Sequence, residues 1–412
     1  MESIRNFIKE EDFEIKSSCC GCGTCADICP AKCITMETDS EGFLYPSLDS
    51  GKCISCGKCV KTCPVINVKP NVPFDQHAYI VQHKDELVRK ESTSGGAFTA
   101  IAEYVLNLDG VVYGAAYVDD DFNIEHIKVE SATELWRFRN SKYVQSVTWK
   151  VFPEVEKDLM GGRYVCFSGT PCQIEGLLQY LQIDYDNLIT IDVVCHAVGS
   201  PLIFHKYLEM QKEKFQNDIG YIYFRGKHYG YQHGTMNFFN KDGKVIYARG
   251  VESDPYLRAF FTNMIFRPSC YGCKFKGRYR KSDFTIWDCF KTRYIDKSFD
   301  DEKGTTNILV HTSKGMKLFE KLQNIRISEK LPEEIIELRS SMFLSHKPNV
   351  DRAFFFDDAA RLNGKDLFKR YYPDRLDVHL KRSFIEVLIR TGLFEKIKWT
   401  IKRMHRKNKT HG

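Results

Sequence analysis

"RYVCFSGTPCQIEGLLQYLQIDYDNLITIDVVCHAVGSP", Arg163 to Pro201, decides the fold. "RYVCFSG" is an apolar strand. Thr170 stands as an N-cap, Pro171 suits the first helical position, and Gln173 completes a capping box with Thr170, so "TPCQIEGLLQYLQ" is a helix. "NLITIDVVCHAVG" is the next buried strand. Ser200 and Pro201 open a further helix, "SPLIFHKYLEMQKEKF". This strand–helix–strand–helix unit predicts a parallel strand pair. Cys172 occupies the second helical position and Cys195 ends the second strand. A parallel pair puts both thiols at one carboxyl edge of the sheet, where α/β proteins bind ligands. The helix N-terminus favours the Cys172 thiolate.

Upstream, "ESTSGGAFTAIAEYVLNLDG" reads as a helix capped by Thr93 or Ser94, with Ala97, Ile101, Ala102 and Val105 at helical spacing and Gly110 as the stop. "VVYGAAYV" is a strand. Downstream, "GYIYFRG", "TMNFFN" and "VIYARG" read as strands, with a tight turn at "KDGK". "DPYLRAFFTNMIF" is a capped helix, "DFTIWD" and "TNILVHTS" are strands, and "KGMKLFEKLQ" is a helix. Helices and strands in this order make an α/β or α+β body. "NVKPNVPFDQHA" is a linker ahead of it.

Residues 1–67 are cysteine-dense. Cys19, Cys22, Cys25 and Cys29, followed by Pro30, give C-x2-C-x2-C-x3-C-P, and Cys53, Cys56, Cys59 and Cys63, followed by Pro64, repeat it. This is the two-cluster ferredoxin pattern, in which the fourth cysteine of each run serves the other cluster. Cys19, Cys22, Cys25 and Cys63 are therefore expected on one 4Fe-4S cluster, and Cys53, Cys56, Cys59 and Cys29 on the second. Gly21, Gly23 and Gly57 allow close backbone approach to cluster sulfurs. Structural zinc sites use pairs of C-x2-C hooks instead. Cys20 and Cys33 fall outside the pattern and read as small apolar neighbours of the clusters.

The bulk composition agrees. The 412 residues are 43% hydrophobic and 28% charged, as in a soluble globular protein. No stretch approaches the ~18 apolar residues of a membrane span. "MESIRNFIKEEDFEIK" lacks the apolar core of a secretory signal, so a cytoplasmic location is expected and the sixteen cysteines point to metal or redox chemistry. The net charge is +6, yet ten Lys or Arg against two Glu lie between Lys381 and Gly412. The rest is nearly neutral, at −2, which argues against a nucleic-acid-binding body. Phe394, Ile397, Ile401 and Met404 form one apolar stripe in that basic tail. Such a helix packs on the body, docks on a partner, or lies on an anionic membrane surface.

The motifs "STSGGAFTAIAEYVLNLDGVVYGAAY", "SKYVQS", "FSGTPCQIEGL", "VVCHAVGSP", "FRGK", "RPSCYGCKFKGRYRKSDFTIWD" and "GTTNILVHTSKG" run in order from Ser92 to Gly315. In these the body resembles the beta subunit of coenzyme F-420 hydrogenase/dehydrogenase, here with a ferredoxin domain in front. The resemblance implies an α+β/α/β fold with an N-terminal ferredoxin-like domain followed by a mixed α/β flavin-binding body. The expected divisions are 1–67 (ferredoxin), 76–160 (flavin-contacting), 161–345 (C-terminal domain) and 380–412 (basic tail). It also implies FAD. Archaeal members use the deazaflavin coenzyme F-420 as the two-electron carrier, which is not implied here.

By the residues alone, Thr93, Ser94, Gly95 and Gly96 are a plain helix cap, and "SKYVQS" is equally a loop or a flavin edge contact. The resemblance assigns both to the cofactor, with Ser141, Lys142, Tyr143 and Gln145 among the contacts and Lys142 against an anionic reduced flavin. Cys172, Cys195, Cys270 and Cys273 match the family's cysteine positions, which implies a third 4Fe-4S cluster. Other readings remain open: Cys270 and Cys273 as a zinc hook or a redox dithiol, and Cys172 as a reactive thiol. Lys274, Lys276, Arg278 and Arg280 either offset the cluster's charge, hold a phosphate or form a solvated basic loop. Cys166 and Cys289 read as core. His196 is either a proton relay or a structural histidine. Trp287, before Asp288 in "TIWDCF", stands where the family has glycine. The expected function is an iron–sulfur flavoenzyme with a redox partner protein or a small-molecule electron carrier. The alternative is an electron-delivery subunit docked on a partner enzyme, or clusters kept for a structural or sensing role.

Overall fold

The computed structural model describes residues 13–394 and Ile397. In the N-terminal region, β1 (Ile34–Thr38) pairs antiparallel with β2 (Leu44–Leu48). Two short helices, Thr24–Asp27 and Lys58–Lys61, start after Gly23 (φ 81°) and Gly57 (φ 71°), so the two cysteine runs make the same left-handed turn twice. This region is ferredoxin-like.

The body is a mixed α/β fold built on one eight-stranded sheet. Its strands are β3 (His77–His83), β4 (Val111–Tyr117), β5 (Ile124–Val129), β6 (Val165–Gly169) and β7 (Leu188–Val193). After a separate antiparallel meander of β8 (Tyr221–Gly226), β9 (Thr235–Phe239) and β10 (Val245–Gly250), the sheet is completed by β11 (Phe284–Asp288), β12 (Thr306–Val310) and β13 (Ile325–Lys330). The order is β13-β3-β12-β11-β7-β6-β4-β5, with β4, β6, β7 and β11 parallel and the flanking strands antiparallel. Helices cover both faces, as a buried parallel core requires. Ala97–Leu106 and Ser313–Phe319 pack on one face around Val112, Cys166, Ile189 and Phe284. Val151–Met160 and Pro171–Leu181 pack on the other around Val111, Phe167 and Leu188.

The Pro171–Leu181 helix has the full Thr170–Gln173 capping box and Pro at its start. Ser200 caps Pro201–Lys214 by accepting from the Ile203 amide, and Asp254 caps Pro255–Phe261 by accepting from Leu257. Cys166 and Cys289 are core residues with no exposure. One expectation is corrected. The Ala97–Leu106 helix is not capped by Thr93 or Ser94: its N-cap is Gly96, at φ 87° with no side-chain cap. One sheet spans the expected regions 76–160 and 161–345, since β4 pairs with β6 and β3 lies between β12 and β13.

The Leu376–Arg390 helix buries Val378 and Leu388 and exposes Leu376, Leu380, Phe384 and Val387. The Phe394 ring stands edge-on to His233 at 5.1 Å, so this part of the tail stripe packs on the body. Ile401 and Met404 lie outside the described residues. Among the described residues no helix is long and apolar enough to cross a membrane.

Candidate cluster and cofactor sites

The parallel register sets Gly169 of β6 opposite Asp192 of β7, so Cys172 and Cys195 leave the same carboxyl edge. Cys270 lies in a turn at Pro268–Gly272, and Cys273 follows it. Cys195 has Cys270, Cys172 and Cys273 as electrostatic neighbours, and Cys270 has Cys273 and Cys172. The fold thus gathers four thiols from three distant segments. Burial pushes the Cys195 thiol well up, and Lys276 draws it back. The Cys172 thiol is lowered, chiefly by a hydrogen bond with Cys20 and secondarily by Thr170, whose Oγ1 is 3.1 Å from its sulfur.

The basic loop is not simply solvated. The Lys276 ammonium donates to the carbonyls of Cys195 (2.5 Å) and Ser341 (2.7 Å). Arg280 pairs with buried Asp192 at 2.8 Å. Arg278 donates to Gln76 and Glu333, and Lys274 to the Val65 carbonyl. Thiols gathered by the fold beside a fixed ammonium fit a metal cluster, whose ligands must give up their protons. Among the described residues no three ligating groups converge as a single metal ion would need.

In the ferredoxin region Cys63 has Cys22 and Cys19 as neighbours, and Cys25 has Cys22, Cys19 and Cys63. Cys59 has Cys56 and Cys29. Cys33 lies 3.4 Å from the Cys29 sulfur and also contacts Cys53.

A cavity of about 880 Å³ opens at the carboxyl edge of the sheet, within the ~300–1,000 Å³ range of small-molecule and cofactor sites. Thr93, Ser94, Gly96, Ser141, Lys142 and Tyr143 line it, together with Cys195 and His196. The Ser141 amide donates to Thr93 Oγ1 at 2.8 Å, joining the two motifs. Lys142 is half-buried; desolvation alone pushes its ammonium down to about 7, and it donates to the carbonyls of Arg137, Arg139 and Asn140. Its protons are therefore committed to backbone. His196 Nδ1 is 3.0 Å from Ser341 Oγ, while its buried Nε2 has no hydrogen-bond partner among the described residues. Burial, then His346, brings its imidazole down to about 4, so it is neutral.

Gly95 and Gln145 are placed elsewhere. Gly95 is wedged against the sheet, where a Cβ would meet the Val81 carbonyl at 2.3 Å. Gln145 turns to the ferredoxin region, donating to the Cys20 carbonyl (3.2 Å) and accepting from Arg267 (2.8 Å). Sequence reasoning singles out neither Arg225, which pairs with Asp288 at 3.3 Å on the cavity wall, nor Asn307, whose buried Oδ1 has no hydrogen-bond partner among the described residues. The "FRGK" motif holds the only signal for Arg225.

His126 also lines the cavity, its ring stacked on Phe167 and its Nε2 bonded to the Ser168 carbonyl. Burial lowers its pKa to about 4. The unfolded chain takes up this proton below pH ~6.5 and the folded one does not, so this contribution to stability is present above that pH and is lost as pH falls through 4. In denaturant titrations the stability advantage of wild type over His126→Gln should shrink by roughly 3 kcal/mol from pH 7 to pH 4. A pH-independent gap would contradict the burial.

The ferredoxin region docks on the body where the cysteines meet. Thr24 Oγ1 donates to the Gly176 carbonyl at 2.9 Å, and Thr148 Oγ1 to the Cys22 carbonyl at 2.9 Å. A Cβ on Gly176 would stand 2.9 Å from Cys22 Cβ. Gly176→Val should therefore push Cys22 off its position and lower the iron content of the purified chain. Unchanged iron would mean that the contact yields freely.

The family profile for the C-terminal part of the coenzyme F420 hydrogenase/dehydrogenase beta subunit matches residues 162–334, and that of a "4Fe-4S dicluster domain" matches residues 18–67. The coenzyme F420-dependent sulfite reductase of Methanocaldococcus jannaschii is 26% identical over 356 residues, covering 81% of this chain and 50% of that protein. The chain thus spans about half the length of this curated relative. A chain of the F420-reducing NiFe hydrogenase complex from Methanosarcina barkeri aligns at 13% identity and TM-score 0.44, over 75% of this chain and 97% of that one. Residues 162–334 thus carry the C-terminal domain of the coenzyme F420 hydrogenase/dehydrogenase beta subunit family, with a 4Fe-4S dicluster domain at residues 18–67 ahead of it.

Proposed function

We propose that the cavity takes FAD and that the chain is an iron–sulfur flavin-dependent oxidoreductase, passing electrons between 4Fe-4S clusters and FAD and on to a two-electron organic carrier or substrate. One adjacency carries this reading: Cys195 and His196 line the same cavity as Thr93, Ser141 and Lys142, so the thiol group and the cofactor pocket share a wall. When bound, the clusters supply one-electron steps and the flavin joins them to two-electron chemistry.

The chain's own residues fit these roles. The uncapped start of Ala97–Leu106 faces the cavity and suits a phosphate. Lys142, held by three carbonyls, adds positive field to the cavity when protonated. His196 Nε2 is the atom placed to hold or pass a proton. Asn307 Oδ1 and the Arg225–Asp288 pair offer polar contacts for orientation. The Methanocaldococcus relative is named for coenzyme F420, which makes a carrier of that class the first to test; sulfite reduction belongs to a protein of which this chain matches only 50%. Anaerobic purification with iron, sulfide and flavin counted per chain, together with EPR, tests the proposal. A chain without flavin would overturn it.

The second reading, an electron-delivery subunit, is favoured by the exposed Leu376–Val387 stripe. It predicts turnover only in a stable complex with a partner, lost on truncation before Leu376. Turnover of a soluble acceptor by the isolated chain would contradict it. An anionic membrane is the other occupant for this face, and salt-sensitive binding to anionic vesicles would identify it.

A further inference from the structure

The two cysteine groups of the ferredoxin region meet different surroundings. The group of Cys19, Cys22, Cys25 and Cys63 is tied to the body. Arg267 donates to the Cys19 carbonyl at 2.8 Å, Thr148 to the Cys22 carbonyl at 2.9 Å, and Lys274 to the carbonyl of Val65, just past Cys63, at 3.3 Å. The segment that carries Cys53, Cys56 and Cys59 is not held in this way. Lys52, Ile54, Ser55, Cys56 and Lys58 are exposed, Ile54 by 65%. A Cβ on Gly57 would meet nothing within 4 Å. Among the described residues no hydrogen bond ties residues 50–61 to the body. Of the two ferredoxin groups, the one with Cys56 is therefore the outer.

The outer face is basic. Lys58 and Lys61 are three apart on one short helix and so stand side by side. Lys32 is brought to the same group, because it lies between Cys29 and Cys33, which pack in one cluster with Cys53 and Cys59. Lys32, Lys58 and Lys61 are exposed, and among the described residues their side chains make no ion pair or hydrogen bond. Asp49, whose amide donates to the Cys33 carbonyl, is the acid at this end, and it pairs with Lys52 at 2.8 Å. The four lysines against Asp49 leave a net +3. The other acids of the region are held away. Pairing Ile34 with Leu48 and Thr38 with Leu44 puts Glu37, Asp39 and Glu41 toward the far end of the hairpin. There Asp39 pairs with Lys16 and Glu41 with Arg352.

We propose that this face docks a small acidic one-electron carrier protein, which exchanges electrons with the cluster of Cys53, Cys56, Cys59 and Cys29. The inference deepens the electron transfer proposed above and rests on it. The unpaired lysines steer a negatively charged surface toward the face, and Ile54 gives it a small apolar contact. A small contact ringed by charge suits a carrier that must also leave, as transient redox encounters require. At each encounter the carrier loses one electron and the cluster gains it. No bond forms or breaks and no proton moves. Two such encounters supply the pair that a two-electron cofactor needs.

The test is anaerobic stopped-flow mixing of the full chain with an acidic flavodoxin, reduced beforehand, whose one-electron oxidation has its own absorbance change. In wild type the second-order rate should fall at least about tenfold from low to high salt. Lys58→Glu combined with Lys61→Glu should lower the low-salt rate at least about tenfold and flatten its salt dependence. Iron content and final bleaching by excess dithionite should stay at the wild-type level. Lys58→Arg with Lys61→Arg, which keeps the charge, should keep the rate. Lys365→Glu with Lys369→Glu makes the same charge change on the Gly364–Tyr371 helix of the body and should leave the rate within about twofold. No transfer, a rate indifferent to salt, or an equal loss in the Lys365/Lys369 variant would overturn the docking face. Salt-sensitive binding of the full chain to anionic vesicles, lost in the Lys58/Lys61 charge reversal, would assign the face to a membrane and overturn the carrier. A chain without flavin would overturn the flavin reading while this transfer persists, so the two failures are read apart.

Discussion

Cys172→Ala combined with Cys273→Ala should remove one whole cluster, taking the anaerobically purified chain from about twelve irons to about eight. The two residues come from different segments, a helix start after β6 and a turn before β11, yet Cys172 is the foremost electrostatic neighbour of Cys273. Loss of two of four thiolates leaves too few corners to hold a cubane. The ferredoxin EPR signals should survive, because Cys19, Cys22, Cys25 and Cys63 keep their own grouping. Iron that stays at the wild-type level would mean these thiols hold no cluster. A fall of one iron or one zinc would favour the metal-hook reading of Cys270 and Cys273.

Ser141→Trp should empty the flavin site while sparing the iron. Ser141 sits on the cavity wall, joined to Thr93 through its amide and its hydroxyl, at 2.8 and 3.1 Å. An indole there projects into the space proposed for the cofactor, and flavin per chain should fall at least about tenfold, as overpacking of a shaped site predicts. Ser141→Ala loses one hydroxyl contact, and flavin affinity should weaken roughly fivefold. Iron content is the internal control, since no cluster cysteine touches Ser141 in the described hydrogen bonds. Flavin retained at wild-type stoichiometry in Ser141→Trp would place the cofactor elsewhere.

What can be read from the sequence is what local chemistry determines. The Thr170–Gln173 capping box and the Ser200 and Asp254 caps involve residues three apart, and the structure forms each of them. The paired cysteine runs are legible for the same reason. The Gly96 cap escapes such a reading because two hydroxyl residues precede it, and those hydroxyls bond instead to Ser141 and Thr305, far along the chain. Gln145 groups with its neighbours in "SKYVQS", but the segment passes from cavity wall to domain seam within four residues. No local pattern reveals that turn. The buried Arg267 bond to the Cys19 carbonyl joins segments nearly 250 residues apart. The sheet's continuity across 160/161 likewise depends on β3 entering from far upstream.

The central claim is a continuous path from the ferredoxin cysteines, through Cys172, Cys195, Cys270 and Cys273, to the cavity. The most direct test is anaerobic stopped-flow reduction of the flavin-loaded chain by a reduced one-electron donor protein, comparing wild type with Cys172→Ala/Cys273→Ala. The account predicts that the ferredoxin clusters reduce in both proteins and that the flavin absorbance bleaches promptly only in wild type. Flavin reduction at the same rate in the variant would contradict the path.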